Sequence, residues 1–288
     1  MSVSPSARGV AGAAADQRDL EEIEIDLLAD GVFRQYGYDF RNYARSSLRR
    51  RVREAARAEK VATVSELQAK VLHDPACMER LLLTLSINAT SMFRDPHFFL
   101  AFREKVVPIL RTYPFIRIWH AGCSSGEEVY SMAILLEEEG LYERCRIYAT
   151  DMNEVVVRKA ETGIFSLSSM RDNTANYLAA GGRSSFSEYY TAACDSVVFR
   201  PALKRNVLFC QHNLTTDASF NEFNVIFCRN VMIYFDTALQ ERVHRLVYES
   251  LSAFGILGLG DKESLRFTPY ESRYEPVAGR EKLYRRAR

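Results

Sequence analysis

Residues 115–136, FIRIWHAGCSSGEEVYSMAILL, constrain the fold more than any other stretch of the chain. An apolar run through Ile116, Ile118 and Trp119 stops at Ala121-Gly122-Cys123-Ser124-Ser125-Gly126, and a helical pattern starts at once with Glu127 and Glu128. Val129, Met132, Ala133, Leu135 and Leu136 recur at the spacing of one helix face. Strand, tight glycine turn and helix form the opening unit of an open α/β sheet, in which ligands collect at the carboxyl ends of the strands. Gly122 and Gly126 let the backbone turn sharply with no Cβ in a ligand's way.

The turn carries neither GK[ST] nor G-x-G-x-x-G, so it is not a phosphate cradle. Glu127 and Glu128 sit at the positive end of their helix, where they would repel a phosphate and attract a cation. Residues 146–151, RIYATD, read as the second strand, with Asp151 at its carboxyl end in reach of a ribose. A glycine turn with acidic neighbours and such an aspartate fits S-adenosylmethionine better than NAD.

The 288 residues, 47% hydrophobic, hold core enough for one large or two modest domains. A net charge of +1 gives no nucleic-acid or membrane signature. The cysteines form no C-x-x-C pair and the histidines show no metal spacing, so neither zinc nor another metal is expected. The opening residues lack an apolar stretch before a cleavage site, and no later run approaches a membrane span. A monomeric, cytoplasmic protein without membrane insertion is the expectation.

We expect a disordered tail over residues 1–18 and a small all-helical domain over 19–85. Ile23, Leu27 and Leu28 begin its first apolar face, and helices are expected over 63–73 and 75–85. Arginines crowd residues 41–57, with Arg45, Arg49 and Arg53 four apart. Such a row is either a solvated helix face or a docking surface for an acidic partner, because arginine forks suit carboxylates. From residue 86 to 288 we expect a doubly wound, Rossmann-like domain. It is entered through a polar crossing that carries Asn88, Thr90 and Arg94. Val197-Val198-Phe199 and Val207-Leu208-Phe209 read as a strand pair in a small antiparallel insertion at about residues 186–210. Residues 223–228 form a buried strand ending in Arg229-Asn230, and residues 281–284 fit a last edge strand.

These blocks together resemble the bacterial chemotaxis receptor methyltransferases, the CheR family. AGC-S-x-GEE-x-Y-S stands at residues 121–131, N-x-T-x-[FM]-FR at 88–94, and A-x-x-G-x-[YF] at 160–165. Asn213-Leu214 and F-C-R-N-V-x-I-Y-F at 227–235 complete the set. One run departs: where many members have G-x-S-E, this chain has Gly260-Asp261-Lys262-Glu263-Ser264, so the Glu aligns and the Ser does not.

The resemblance implies S-adenosylmethionine as methyl donor, S-adenosylhomocysteine as product, and a glutamate side chain of a methyl-accepting chemoreceptor or related signalling protein as acceptor. It implies that Glu128 meets the cofactor's amino group and Asp151 its ribose. Asn88, Thr90, Gly122, Asn213, Leu214, Arg229 and Asn230 would complete the cofactor site. Arg94 would hold a carboxylate, of the acceptor or of the methionine moiety, and Tyr234 would line the methyl-transfer channel. Arg45, Arg49 and Arg53 would meet the receptor. Two competing readings are a methyltransferase for another substrate class and a non-catalytic relative that only binds receptor or partner.

Overall fold

A computed structural model describes residues 8–86 and 90–287. The chain divides into two compact units, Met1–Ile87 and Asn88–Arg288. Among the described residues the first holds four helices: α1 (Arg8–Tyr36), α2 (Arg45–Ala58), α3 (Val64–His73) and α4 (Pro75–Leu85). Thr63 caps α3 by accepting the Glu66 N–H at 3.1 Å, and Asp74 caps α4 by accepting that of Ala76 at 3.0 Å. Ile25, Leu28, Val32, Phe40, Leu48, Val52, Leu67 and Leu81 are buried between the helices. Each contributes roughly 1.5–3 kcal/mol of hydrophobic stabilisation. Helix α1 starts at Arg8, so residues 8–18 are helical rather than tail; RGVAGAAADQR is rich in alanine, the strongest helix former. Residues 1–7 of the expected tail lie outside the described residues.

The second unit opens with a helix in three parts, α5 (Pro96–Ala101), a π turn (Phe102–Val106) and α6 (Val107–Leu110). There follow β1 (Ile116–Ala121), α7 (Glu127–Glu138), β2 (Cys145–Asp151), α8 (Glu154–Thr162), β3 (Ile164–Ser166) and α9 (Met170–Ala179). Next come β4 (Tyr190–Ala193), β5 (Ser196–Phe199), β6 (Val207–Gln211) and β7 (Phe223–Cys228). The chain closes with α10 (Thr237–Ser250), β8 (Leu251–Leu259), β9 (Tyr274–Ala278) and β10 (Leu283–Arg286).

Seven strands form one sheet in the order β6-β2-β1-β7-β8-β10-β9, and β3-β5-β4 form a second, smaller one. β6, β2, β1, β7 and β8 run parallel, while β10 is antiparallel to both neighbours. Central β1 is buried at every position but Arg117, as a strand covered on both faces should be. Trp119 anchors it: the ring stacks on Phe223 at 5.2 Å and its Nε1–H donates to Thr150 Oγ1 at 2.8 Å.

Two expectations are corrected here. Residues 207–209 do not pair with 197–199; β6 pairs parallel with β2, whereas β5 pairs with β3 and β4 in the small antiparallel sheet. Both triplets are short and apolar, and nothing local distinguishes a sheet edge from an insertion. The last strand is also not an edge. β10 lies between β8 and β9, and the edge belongs to β9, whose Pro276 and exposed residues hide it from a period-two pattern.

Candidate active site

The strand order reverses direction between β1 and β7, and in open α/β sheets ligands bind outside the carboxyl ends of the strands at such a switch. Gly122 follows β1, Asp151 ends β2, Asn213 and Leu214 follow β6, and Arg229 and Asn230 follow β7. Residues up to 109 positions apart in sequence thus share one sheet edge, as 122 and 231 show. Gly122 has φ +84°, and a Cβ there would lie 2.5 Å from Val231 Cγ2, so the turns after β1 and β7 close on each other only over a glycine.

The Gly122 and Cys123 N–H groups both donate to Thr150 O at 2.8 Å, which binds the turn to the end of β2. Ser124 then turns left-handed, φ 51°, and its N–H donates to Asp151 Oδ2 at 3.0 Å. Asn153 N–H donates to the other oxygen, also at 3.0 Å. Burial pushes the Asp151 carboxyl above its ordinary value, against the backbone donors of Asn153, Ser124 and Met152. Each oxygen keeps acceptor capacity for a hydroxyl. A half-buried carboxylate beside the Gly122 turn fits the ribose of S-adenosylmethionine.

Glu128 does not wait for an external cation. Its Oε1 lies 3.0 Å from His120 Nδ1, and its Oε2 accepts from Arg229 Nη1 at 2.6 Å. Burial raises its pKa, yet Arg229 and His120 outweigh burial and bring it down to about 2. Arg229 also donates through Nη2 to Asp95 Oδ2 at 2.8 Å and to Arg94 O at 3.3 Å. Its guanidinium lies 3.9 Å from the Phe98 ring centroid, and its side chain is 1% exposed. The result is a chain His120–Glu128–Arg229–Asp95 that ties α7, β7 and the entry to α5 together. Glu128 and Arg229 therefore have a structural task beside any contact with the cofactor.

Arg94 and Thr90 lie in the segment before α5, half-buried, and Asn88 falls outside the described residues. Phe93 N–H donates to Ser131 Oγ at 2.8 Å and Met92 N–H to Asn173 Oδ1 at 3.1 Å, so α7 and α9 hold the segment. Phe93 (φ 50°) and Asp95 (φ 57°) flank Arg94 in left-handed conformation, as do Ser124 and Asn230 (φ 60°) elsewhere on this edge. Left-handed backbone at residues with a Cβ costs of order 1–3 kcal/mol each and persists only where surrounding bonds impose it. Tyr234 sits half-buried in a 3₁₀ turn, Met232–Tyr234. Asn213 makes a local turn instead of reaching out through its oxygen: Oδ1 accepts from Thr215 N at 3.0 Å and from Thr215 Oγ1 at 2.7 Å.

The thiols of Cys123 and Cys228 are buried, and burial pushes both well above the ordinary value, so neither is a nucleophile. Among the described residues no cluster could hold a metal, and no helix is long and apolar enough to cross a membrane.

Arg45, Arg49 and Arg53 belong to the other unit, where each meets a carboxylate of α1. Arg45 pairs with Asp26 and Arg49 with Glu22; Arg53 forks onto Glu21 at 2.6 and 2.5 Å. The row is neutralised from within rather than offered free.

Sequence reasoning missed the part played by Glu263. Its buried carboxylate accepts four backbone N–H groups, from Gly260, Asn230, Val231 and Met232. The signal available was the alignment of this glutamate with the family's G-x-S-E run.

Residues 88–279 match the family model described as CheR methyltransferase, SAM binding domain, and residues 23–86 match CheR methyltransferase, all-alpha domain. Cher3 of Pseudomonas putida, a methyltransferase by name only provisionally, is 50% identical over 92% of this chain and 97% of its own length. The chemotaxis protein methyltransferase of Listeria monocytogenes is 28% identical over 81% of this chain and 87% of its own. That of Salmonella typhimurium is 33% identical over 62% of each.

Proposed function

The chain belongs to the CheR methyltransferase family, and from that premise we propose that it methylates glutamate side chains of a chemoreceptor-type protein, with S-adenosylmethionine as donor. The observation that carries this reading is the shared edge of β6, β2, β1 and β7. It collects Asp151, the Gly122 turn and the Arg229–Asn230 turn beside the Arg94 segment.

In the bound state S-adenosylmethionine supplies a methyl group on a sulfonium. Attack by a glutamate oxygen would give the methyl ester and return the C–S electron pair to sulfur, leaving S-adenosylhomocysteine, with no proton transfer. A free glutamate ionises near ~4.3, so the acceptor is already a nucleophile at neutral pH and no general base is required. The protein's task is alignment and exclusion of water. Asp151 would accept the ribose hydroxyls, and Gly122 would let the cofactor lie against the backbone. Glu128, kept ionised by Arg229, would offset a cationic amino group. Asn88, Thr90, Asn213, Leu214 and Asn230 would complete the cofactor's surroundings. Arg94 would fork onto a carboxylate, and Tyr234 would wall the channel between donor and acceptor.

The test is tritiated methyl transfer to membranes of the native host. A base-labile labelled band, identified as a receptor, is the expected result. Label only in small molecules or nucleic acid would sink the acceptor assignment, and no label at all with S-adenosylhomocysteine bound would favour a non-catalytic binder.

A further inference from the structure

Glu263 is 4% exposed, and among the described residues no cation offsets its burial. His244, which lines the neighbouring cavity, supplies no countercharge near neutral pH, because burial lowers its pKa to about 4. Burial pushes the Glu263 carboxyl above its ordinary value, and backbone donors alone oppose that and favour the carboxylate. Oε2 accepts from Gly260 N–H at 2.6 Å and Asn230 N–H at 3.0 Å, while Oε1 accepts from Val231 at 2.9 Å and Met232 at 2.8 Å. Three consecutive N–H groups converging on one anion form a nest, here filled by a side chain of the chain itself. A Cβ on Gly260 would lie 2.8 Å from Asn230 N, so the loop after β8 can deliver this carboxylate only past a glycine.

The turn so held is central to the edge. It contains Asn230, it places Val231 against Gly122, and it leads directly into Tyr234. We propose that Glu263 is a positioning residue, an internal anion that fixes the turn over residues 230–232 in the geometry that binds the cofactor. This rests on the S-adenosylmethionine reading and is independent of which acceptor is methylated. A neutral side chain cannot replace it, since an amide would turn its own N–H₂ toward N–H donors. A small external anion can. A cavity of about 210 Å³, lined by Met232, Gln240, His244, Lys262 and Glu263 among others, leads to the carboxylate.

The experiment is calorimetric titration of the full chain with S-adenosylhomocysteine, with and without sodium formate. Glu263→Ala should weaken binding on the order of tenfold through lost backbone hydrogen bonds, and formate should restore most of it. Glu263→Gln should weaken binding similarly but leave no hole, so formate should do nothing; Lys262→Ala, next to it and exposed, should bind like wild type. If Glu263→Ala does not fold, Glu263→Gln decides alone, and wild-type affinity in it overturns the proposal. Equal formate effects on both variants also overturn it, because they would be a general salt effect. A wild-type chain that does not bind S-adenosylhomocysteine would remove the cofactor reading itself, and this assignment with it.

Discussion

Two sets of arginine–carboxylate pairs in this protein use the same chemistry under opposite conditions. On α2, Arg45, Arg49 and Arg53 pair with α1 across a solvated surface, with arginine side chains 35–50% exposed. At the sheet edge, Arg229 is 1% exposed and spans Glu128, Asp95 and the Arg94 carbonyl. Exposed pairs are worth about 0.2–1 kcal/mol each, because water screens them and long side chains lose freedom. Removing one partner of a buried pair costs about 3–5 kcal/mol, because the other is left charged and dry. The contrast teaches that arginine density, the loudest charge signal in this sequence, marks the less consequential set.

The sharpest way to break the comparison is Arg229→Met. We expect a loss of about 3–5 kcal/mol in urea denaturation, with Arg229→Lys recovering little because one ammonium cannot span three acceptors. A loss as small as that of an α2 variant would erase the distinction. The same variant should raise the Glu128 pKa from about 2, since burial then acts with less opposition; carboxyl-carbon NMR would follow it. Its folded value lies below the ordinary 4.5. The wild-type pairing stabilises fully above about pH 4.5, and that contribution is lost as pH falls toward 2.

Asp151→Ala should leave the fold intact while weakening S-adenosylhomocysteine by about 2–3 kcal/mol, through lost bonds to a charged acceptor. Unchanged affinity would remove Asp151 from the cofactor site. Arg94→Lys should cut turnover about tenfold or more with unfolding unaffected, as charge is kept and the fork is lost. Wild-type turnover would rule out orientation by a fork.

The smallest stability effect belongs to α2. Arg53→Glu should cost about 1 kcal/mol or less, and adding Glu21→Arg should restore it. The swapped pair also isolates docking. If the receptor's KM stays raised after stability recovers, the row meets an acidic partner as well as α1; if KM recovers too, the row is only an internal seam.

The β1–turn–α7 unit was legible because an apolar strand, a glycine turn and an amphipathic helix each leave a local period. The helices α3 and α4 were legible from Thr63, Asp74 and Pro75, whose caps act within three residues. The pairing of β6 with β2 was not, since it depends on which edge of a sheet receives a short apolar strand. The seam of α1 on α2 had a signal: acids at 21, 22 and 26 lie opposite arginines at 53, 49 and 45 in antiparallel order. The chain through Arg229 had none, for its partners are 101 and 134 residues away.

Those separations also set an order of events during folding. Arg45 finds Asp26 across 19 residues and Arg53 finds Glu21 across 32, whereas Arg229 must wait until most of the sheet has brought distant segments together. Loop closure grows costlier with length, and contacts of high sequence separation are rewarded late. After dilution from denaturant, helical circular dichroism should therefore recover before the capacity to bind S-adenosylhomocysteine. The interval between the two is the lifetime of a protein that has its secondary structure but not yet its site.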